Sequence, residues 1–561
     1  MNSKHLLFLG FLVLMACSNT NRDNYAPNIS YDAPFVWEGA NIYFLLTDRF
    51  NNSKPENDLN FQRDQQTAKL RGFMGGDIAG ITMKIEDGYF DKLGINAIWL
   101  SPVVEQIHGL VNEGTGDTYG YHGYWAKDWT AFEPNFGTEE DFLNFVETAH
   151  KHGIRVIIDV VLNHTGPVTE IDPQWPDSWV RTSPACTYQG YESTISCTLV
   201  ENLPDIKTES NETVDLPDQL KEKWAKENRL EQELKELQDF FDRTSYPEAP
   251  RYYIMKWLTD MIRKFGVDGF RIDTAKHTEE SVWSDLYNEA QLAFQEWKEQ
   301  NPEKVLDENR FFMVGEVYGY NISAVDGYNF GDSIVNFFDY GFKSLINFEF
   351  KYDAHNSYEE IFSKYSSLLN NELKGKSVLN YISSHDDSVP FDKLRDNPFE
   401  AGTKLLLCPG ASQVYYGDES ARSLNAGGTK GDAELRSFMN WDELEKNITK
   451  NGYNIQDVLI HWQKLGAFRR NHPAVGAGQH KMISRDPYYF QRKYKSENYK
   501  DVVLVGLGLK PGLKEIDVKD IFQDGIQVLD YYSGKISQVK QGKIILNSDD
   551  NIILLGKLEV P

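Results

Sequence analysis

Short apolar runs recur along the chain, separated by longer stretches in which apolar positions repeat at helical spacing. Eight runs are strand-like: residues 42–46, 97–100, 156–161, 269–272, 311–314, 334–338, 378–382 and 413–416. Continuous apolar runs suit strands buried on both faces, and their alternation with amphipathic helices is that of parallel βα units. Eight units predict an α/β fold built on a closed (β/α)8 TIM barrel, whose functional groups gather at the C-terminal ends of the strands.

Two stretches break the repeat. Residues 166–250 lie between the third and fourth strands, are rich in Pro, Ser, Thr and Tyr, and contain a charged helical stretch at 219–241. They read as an inserted domain with a helical excursion, and the charge run 221–236 reads as a solvated amphipathic helix laced by i,i+4 pairs. From 474 to 561 the pattern becomes short alternating strands with Gly, Asn and Asp turns, for example 501–506 and 543–546, which predicts a C-terminal antiparallel β-sandwich. The barrel then occupies 34–165 and 251–473.

The first 16 residues carry one lysine, Lys4, and then an apolar run too short to span a bilayer, as in a signal peptide. The run ends Leu14-Met15-Ala16-Cys17, which resembles a bacterial lipobox in which Cys17 is lipidated, and residues 17–33 read as the lipidated tether. The chain is therefore expected to be an exported lipoprotein on the periplasmic side or the outer cell surface, touching a membrane only through that anchor. In an oxidising compartment Cys186 and Cys197, eleven apart in a turn-rich stretch, are expected to form a disulfide, while Cys408 beside an apolar run reads as a buried thiol.

Composition narrows the function. Of 561 residues, 40% are hydrophobic and 25% charged, which is globular; the net charge of −26 repels phosphate backbones and disfavours nucleic acid as a partner. Aromatic residues at 13% suit either a large aromatic core or a surface that stacks on neutral sugar rings.

The chemistry lies after the strands. The third run continues Asp159-Val-Val-Leu-Asn163-His164, the fourth reads Gly269-Phe-Arg271-Ile-Asp273-Thr-Ala-Lys276-His277, the fifth ends Gly315-Glu316 and the seventh leads to His385-Asp386. Alternation along the fourth strand puts Arg271 and Asp273 on one side, facing the barrel mouth. A single Asp at a strand end is ordinarily a helix cap. Three carboxylates, Asp273, Glu316 and Asp386, converging from different strands with an Arg, a Lys and histidines point instead to acid/base and nucleophilic work.

These four segments, in this order, resemble the signature regions of glycoside hydrolase family 13, the α-amylase family. The resemblance runs from Ile42-Tyr-Phe-Leu-Leu-Thr-Asp-Arg-Phe50 to the final β domain. Within the family, Trp297-Lys-Glu-Gln-Asn-Pro302, Tyr416-Gly-Asp-Glu-Ser420 and His472-Pro-Ala-Val-Gly-Ala-Gly478 are similar to the periplasmic α-amylases of Gram-negative bacteria. The resemblance implies that Asp273 is the nucleophile, kept ionised by Arg271, that Glu316 is the general acid and then base, and that Asp386 with His385 grips sugar hydroxyls. It further implies Tyr124 as a stacking platform with His122 beside it, His164, Lys276 and His277 along the cleft, and Asp432 and Arg436 on the next sugar outward.

A calcium site is implied at Asn163, Asp205 and the backbone carbonyl of His277, with Asp218 in the same Leu-Pro-Asp tripeptide as the competing carboxylate. A second Ca2+ loop resembles residues Asn52, Asn57, Asp58, Gly75 and Asp77, with Lys54 standing where another ligand is expected; a plain Asn/Asp turn is the other reading. The expected activity is that of a monomeric retaining α-amylase cutting internal α-1,4 bonds of starch, glycogen and maltodextrins. An exo-acting α-glucosidase or 4-α-glucanotransferase shares every residue named, and a glycan-binding protein would have lost one of the three carboxylates.

Overall fold

A computed structural model of the protein describes residues 33–558. Cys17 and the segment read as signal peptide and tether lie outside the described residues, apart from Ala33. Eight parallel strands close a barrel: β1 (Asn41–Leu45), β2 (Ala97–Leu100), β3 (Arg155–Val160), β4 (Gly269–Ile272), β5 (Phe312–Gly315), β6 (Ser344–Asn347), β7 (Ser377–Tyr381) and β8 (Ala411–Tyr415), with β8 pairing back onto β1 at Asn41 and Ser412. All eight are buried along their length. Helices α1 (Ile78–Glu86), α2 (Glu139–Lys151), α5 (Pro250–Phe265), α6 (Glu280–Gln300), α7 (Tyr358–Asn370), α8 (Pro398–Leu407) and α9 (Ile455–Asn471) belong to the barrel units. Local signals set their ends: Thr138 with Asp141 and Ser357 with Glu360 form capping boxes at α2 and α7, and α5 opens on Pro250 and stops at Gly266, whose φ of 75° suits glycine.

Seven of the eight expected strands are in place within two residues. The sixth is not. Residues 334–338 form half of a small hairpin, Tyr328–Asn329 against Ile334–Val335, followed by a 3-10 turn, and β6 begins instead at Ser344. The apolar run misled because Ile334 points to solvent, whereas β6 has only two apolar residues between Ser344 and Asn347. Its polar C-terminal end is satisfied inside, where Asn347 donates to Asn380 (2.9 Å) and to the Tyr365 hydroxyl (3.1 Å), while the Ser344 hydroxyl at the other end is buried without a partner. No long helix joins β5 to β6, so the periodicity that marks the other units is missing there.

The excursion after β3 holds the short ribbon Val180–Arg181 with Asp205–Ile206, the Cys186–Cys197 disulfide, and two helices, α3 (Asp218–Lys226) and α4 (Leu230–Thr244). The charge run is thus not one solvated helix. It breaks at Asn228, in the left-handed region at φ 58°, and its inward face is ionic as well as apolar. Asp128, fully buried on the ribbon after β2, accepts from Lys223 (2.9 Å) and Arg229 (2.7 Å), and Lys223 also pairs with Glu105 (2.9 Å). Burial raises the Asp128 carboxyl, but the two cations outweigh it and hold the group below its ordinary range.

Beyond the barrel, β9 (Gln479–Arg485), β10 (Tyr488–Lys495), β11 (Lys500–Leu507), β12 (Gly512–Asp517), β13 (Gln527–Asp530), β14 (Lys535–Gln538), β15 (Lys543–Ser548) and β16 (Ile552–Lys557) form an antiparallel unit. A six-stranded sheet in the order β9-β10-β11-β16-β13-β14 packs over the two-stranded antiparallel sheet of β12 and β15 around Leu504, Ile516, Val528, Ile544 and Ile553. Phe490 on β10 meets Phe362 of α7 edge to face, so the other side of the sheet completes the barrel core. Cys408 is a buried free thiol at the end of α8, raised far above its usual range by burial.

Replacing Asp128 by Ala leaves two cations facing the buried Glu105 and Thr130 without their main partner. The loss expected is about 3 kcal/mol, less than for a fully buried triad because both cations keep some solvent. It should appear as a lower Tm in calorimetry and as faster proteolysis within residues 210–245; unchanged cleavage there would mean that the helices are held by apolar packing alone.

Candidate active site

Strand register assembles the site. β3 and β4 pair so that Asp159 lies beside Arg271, and β4 and β5 bring Ile272 beside Gly315, one residue short of Glu316. The Arg271 side chain is 1% exposed and binds three carboxylates at once. Its Nη1 donates to Asp159 Oδ1 (2.9 Å) and Oδ2 (3.1 Å) and to Asp273 Oδ1 (2.7 Å), and its Nη2 pairs with Glu316 Oε2 (3.1 Å). One guanidinium therefore sets Asp273 and Glu316 side by side.

The turn after β4 completes the cradle. Thr274 adopts φ 47°, a left-handed conformation costly for a β-branched residue, and in it donates its backbone N–H to Glu316 Oε2 (2.9 Å), while Ala275 N–H donates to the Glu316 carbonyl (2.9 Å). Glu316 is buried. Desolvation raises its carboxyl, Arg271 opposes, and the charges of Asp273 and Asp386 raise it further, to about 8. Burial likewise lifts Asp159 to about 7 against the pull of Arg271.

Asp386 stands apart from the guanidinium and is more open, 39% exposed, 3.7 Å from His385 Nε2 and receiving the Ser384 hydroxyl (3.2 Å). The Tyr124 ring lies nearly parallel to that of His385 (5.2 Å) and to that of His122 (5.7 Å), its hydroxyl donates to Asp159 Oδ2 (2.8 Å), and its backbone N–H donates to His122 Nδ1 (3.0 Å). Burial, then the nearby Arg436, lowers both histidines well below their usual range, so they are neutral. His164 Nε2 donates to the Tyr124 carbonyl (3.2 Å).

Two walls flank this centre. On one, Arg436 donates to the His385 carbonyl (2.8 Å) and pairs with Asp432 (2.6 Å), whose other oxygen is held by Arg71 (2.8 Å); against burial, Arg436 and Arg71 bring Asp432 down to about 2. On the other, Lys276 donates to the Tyr318 carbonyl and the Tyr328 hydroxyl (both 3.0 Å), and His277 Nδ1 donates to the Thr194 carbonyl (2.8 Å).

Sequence reasoning left Asp159, Trp99, Arg71 and Thr274 out of the site. Asp159 carried a signal, being a charged residue inside an apolar strand, but its tie to Arg271 and to the Trp99 indole N–H (3.1 Å) follows only from the barrel register. Arg71 lies in a long loop after β1 with no pattern to mark it.

The candidate calcium ligands separate into two groups. Asn163 and Asp205 meet beside His277: Thr278 donates weakly to Asn163 Oδ1 (3.4 Å), and Asp205 Oδ2 pairs with Arg181 (2.9 Å). Asp205 is 2% exposed, its Oδ1 is buried without a partner, and burial raises the group to about 8. An unpartnered buried carboxylate oxygen suits a hard cation. Asp218, the competing carboxylate, is exposed on α3 and paired with Lys221.

In the second loop, Asn52 donates to both Asp58 oxygens (2.9 and 3.1 Å), and a Cβ at Gly75 would meet these side chains at 2.4 and 2.6 Å. Buried Asn52 Oδ1 and Asn57 Oδ1 lack partners. Asp77 is differently engaged: it caps α1 through Gly80 N–H (2.5 Å) and accepts from Ser53 (2.9 Å) and Lys54 (2.8 Å) N–H, while the Lys54 ammonium turns to Asp141 (2.5 Å). Among the described residues no group of three or more His, Cys, Asp or Glu side chains is arranged around a common point.

Comparison with known proteins agrees with this geometry. The family model of the α-amylase catalytic domain matches residues 44–478. The periplasmic α-amylase of Escherichia coli (strain K12) is 35% identical over 522 residues, covering 82% of this chain and 71% of that protein. The cyclomaltodextrin glucanotransferase of Thermoanaerobacterium thermosulfurigenes is 27% identical over 463 residues, 81% of this chain and 58% of that enzyme. Among solved structures, the α-amylase of Geobacillus thermoleovorans complexed with acarbose superposes with a TM-score of 0.63 at 20% identity, over 94% of this chain and all of that one, which is a likeness of fold. A catalytic-domain match over most of the chain, on a barrel whose mouth gathers these carboxylates around one arginine, makes the protein a member of the α-amylase family of glycoside hydrolases.

Proposed function

We propose that the protein is an exported α-amylase that hydrolyses internal α-1,4-glucosidic bonds of starch, glycogen and maltodextrins with retention of anomeric configuration. The observation that carries this reading is the single Arg271 guanidinium bonded to both Asp273 and Glu316, with Glu316 raised to about 8. Export rests on the signal-peptide pattern and on the name of the E. coli relative.

In the first step an Asp273 oxygen attacks the anomeric carbon while protonated Glu316 gives its proton to the departing glycosidic oxygen; a glycosyl ester forms and the shortened chain leaves. In the second, the Glu316 carboxylate takes a proton from water, the water oxygen attacks the anomeric carbon, and Asp273 is released. Asp386 and His385 grip hydroxyls of the sugar at the cleavage point, Tyr124 lies against its ring, and Asp432 and Arg436 receive the sugar beyond.

Calcium fits the pair Asn163 and Asp205 with the His277 carbonyl, where it would supply the positive charge that the buried Asp205 oxygen lacks. Its effect would be to tie the ribbon Asp205–Ile206 to the turn after the nucleophile. A second reading, glycosyl transfer to another sugar, is favoured by the glucanotransferases among the relatives.

A product time course on amylose and maltoheptaose tests the activity: mixed short oligosaccharides of α configuration are expected early, glucose alone would indicate exo action, and chain-lengthened products would indicate transfer. Glu316→Gln should lose about 10²–10⁴-fold in kcat on these substrates. Activity surviving in that variant would overturn the catalytic assignment. Because the acid form is the active one and its proton leaves as pH rises, kcat/KM should fall about tenfold per unit above pH 8, with the fall displaced in no other carboxylate variant remote from the cluster. Chelation should lower Tm, calcium titration by calorimetry should restore it, and Asp205→Ala should abolish both responses.

A further inference from the structure

The Lys276 wall is built from two segments far apart in sequence. One is the loop 186–197, closed by the Cys186–Cys197 disulfide; the other is the hairpin of Tyr328–Asn329 and Ile334–Val335 that stands where a barrel helix is missing. They meet at Asp332, on the hairpin tip, whose Oδ1 accepts the backbone N–H of Tyr191 (2.9 Å). The contact is close: a Cβ at Gly190 would lie 2.2 Å from Asp332 Oδ2, so any larger residue there displaces the Asp332 carboxylate. The Tyr191 and Phe330 rings meet edge to face at 5.1 Å, and the Tyr191 hydroxyl donates to Glu280 at the start of α6.

Both partners also reach the catalytic turn. From the loop, the Thr194 carbonyl accepts from His277, and the ring of Tyr188, half exposed, lies 5.9 Å from the His277 ring and from the Lys276 ammonium. From the hairpin, the Tyr328 hydroxyl accepts from Lys276 (3.0 Å), with the ammonium 5.0 Å from its ring centre. The loop has only one turn of helix, Glu192–Ile195, and is held by these bonds together with the burial of Thr194, Ile195 and Cys197. The disulfide shortens the free loop, so a single tie at its middle orders it at little entropic cost.

We propose that Asp332 is a positioning residue that fixes loop 186–197, and with it Tyr188, as a rigid wall for the sugar residues lying beyond Lys276. It touches no reacting atom and acts through Tyr191 and Gly190. The inference rests on the glucan-cleaving reading for its substrate but not for its geometry.

Asp332→Ala is expected to raise KM for maltoheptaose about 5- to 10-fold, the size of one charge-assisted hydrogen bond, with kcat within about twofold. Asp332→Asn, which keeps an acceptor oxygen, should recover most of the wild-type KM. Gly190→Ala should reproduce the alanine effect, and the double variant should show no further rise, because both break one contact. Hydrogen exchange of residues 186–197 should quicken in Asp332→Ala, a readout independent of activity. An unchanged KM with unchanged exchange would overturn the proposal. So would a fall in kcat and Tm with KM constant, which describes a merely structural role. Wild-type protein inactive on every α-1,4-glucan would instead sink the glucan-cleaving reading, and the exchange measurement would still decide the clasp.

Discussion

Everything at the mouth of this barrel depends on one buried cation. Arg271 is almost wholly withdrawn from water, and a guanidinium there is stable only because Asp159, Asp273 and Glu316 surround it. The dependence is mutual. Three carboxylates crowd one desolvated space beside a single positive charge, and burial raises Glu316 and Asp159 above their ordinary range. The same electrostatic constraint that makes the cluster tolerable thus supplies an acid next to a carboxylate, which is what glycoside cleavage needs. A lysine would not be equivalent, since its ammonium is a single donor point, whereas Arg271 engages these carboxylates from two nitrogens of a planar fork.

The fold serves that constraint in layers. Parallel register sets Asp159 against Arg271, the strained turn at Thr274 aims an N–H at Glu316, and Trp99 and Tyr124 both donate to Asp159 Oδ2. Around this centre the loops are pinned by buried polar contacts more than by regular structure. Asp432 lies between two arginines on one wall, and His277 and Lys276 are held by carbonyl and hydroxyl oxygens on the other. The long excursion after β3 follows the same rule, its helices drawn to the barrel by cations that meet at Asp128. Loops so held keep their place over the barrel mouth without loosening the strands beneath them.

Much of this was legible in the chain, and for physical reasons. Strands buried on both faces must be apolar, so seven of the eight could be found from hydrophobic runs alone, and charged residues at their ends stood out because a core strand gains nothing from them. The sixth strand was illegible because β6 is short and ends on a polar Asn347 that only the barrel interior satisfies, while a more apolar stretch nearby folds as a hairpin. Asp77 showed the same limit: an acidic residue in an Asn-rich loop is a ligand or a helix cap according to which backbone N–H groups reach it.

The sequence by itself determined the composition of the site, with an arginine and carboxylates placed at strand ends, together with the barrel's repeat, because these depend on residue type and local period. The tertiary structure decided which carboxylates share the guanidinium, which proton is retained, that Arg71 holds Asp432, and that Asp332 clasps a loop more than 130 residues away. Those outcomes come from distance and desolvation between segments remote in the chain, and neither quantity exists until the barrel has closed.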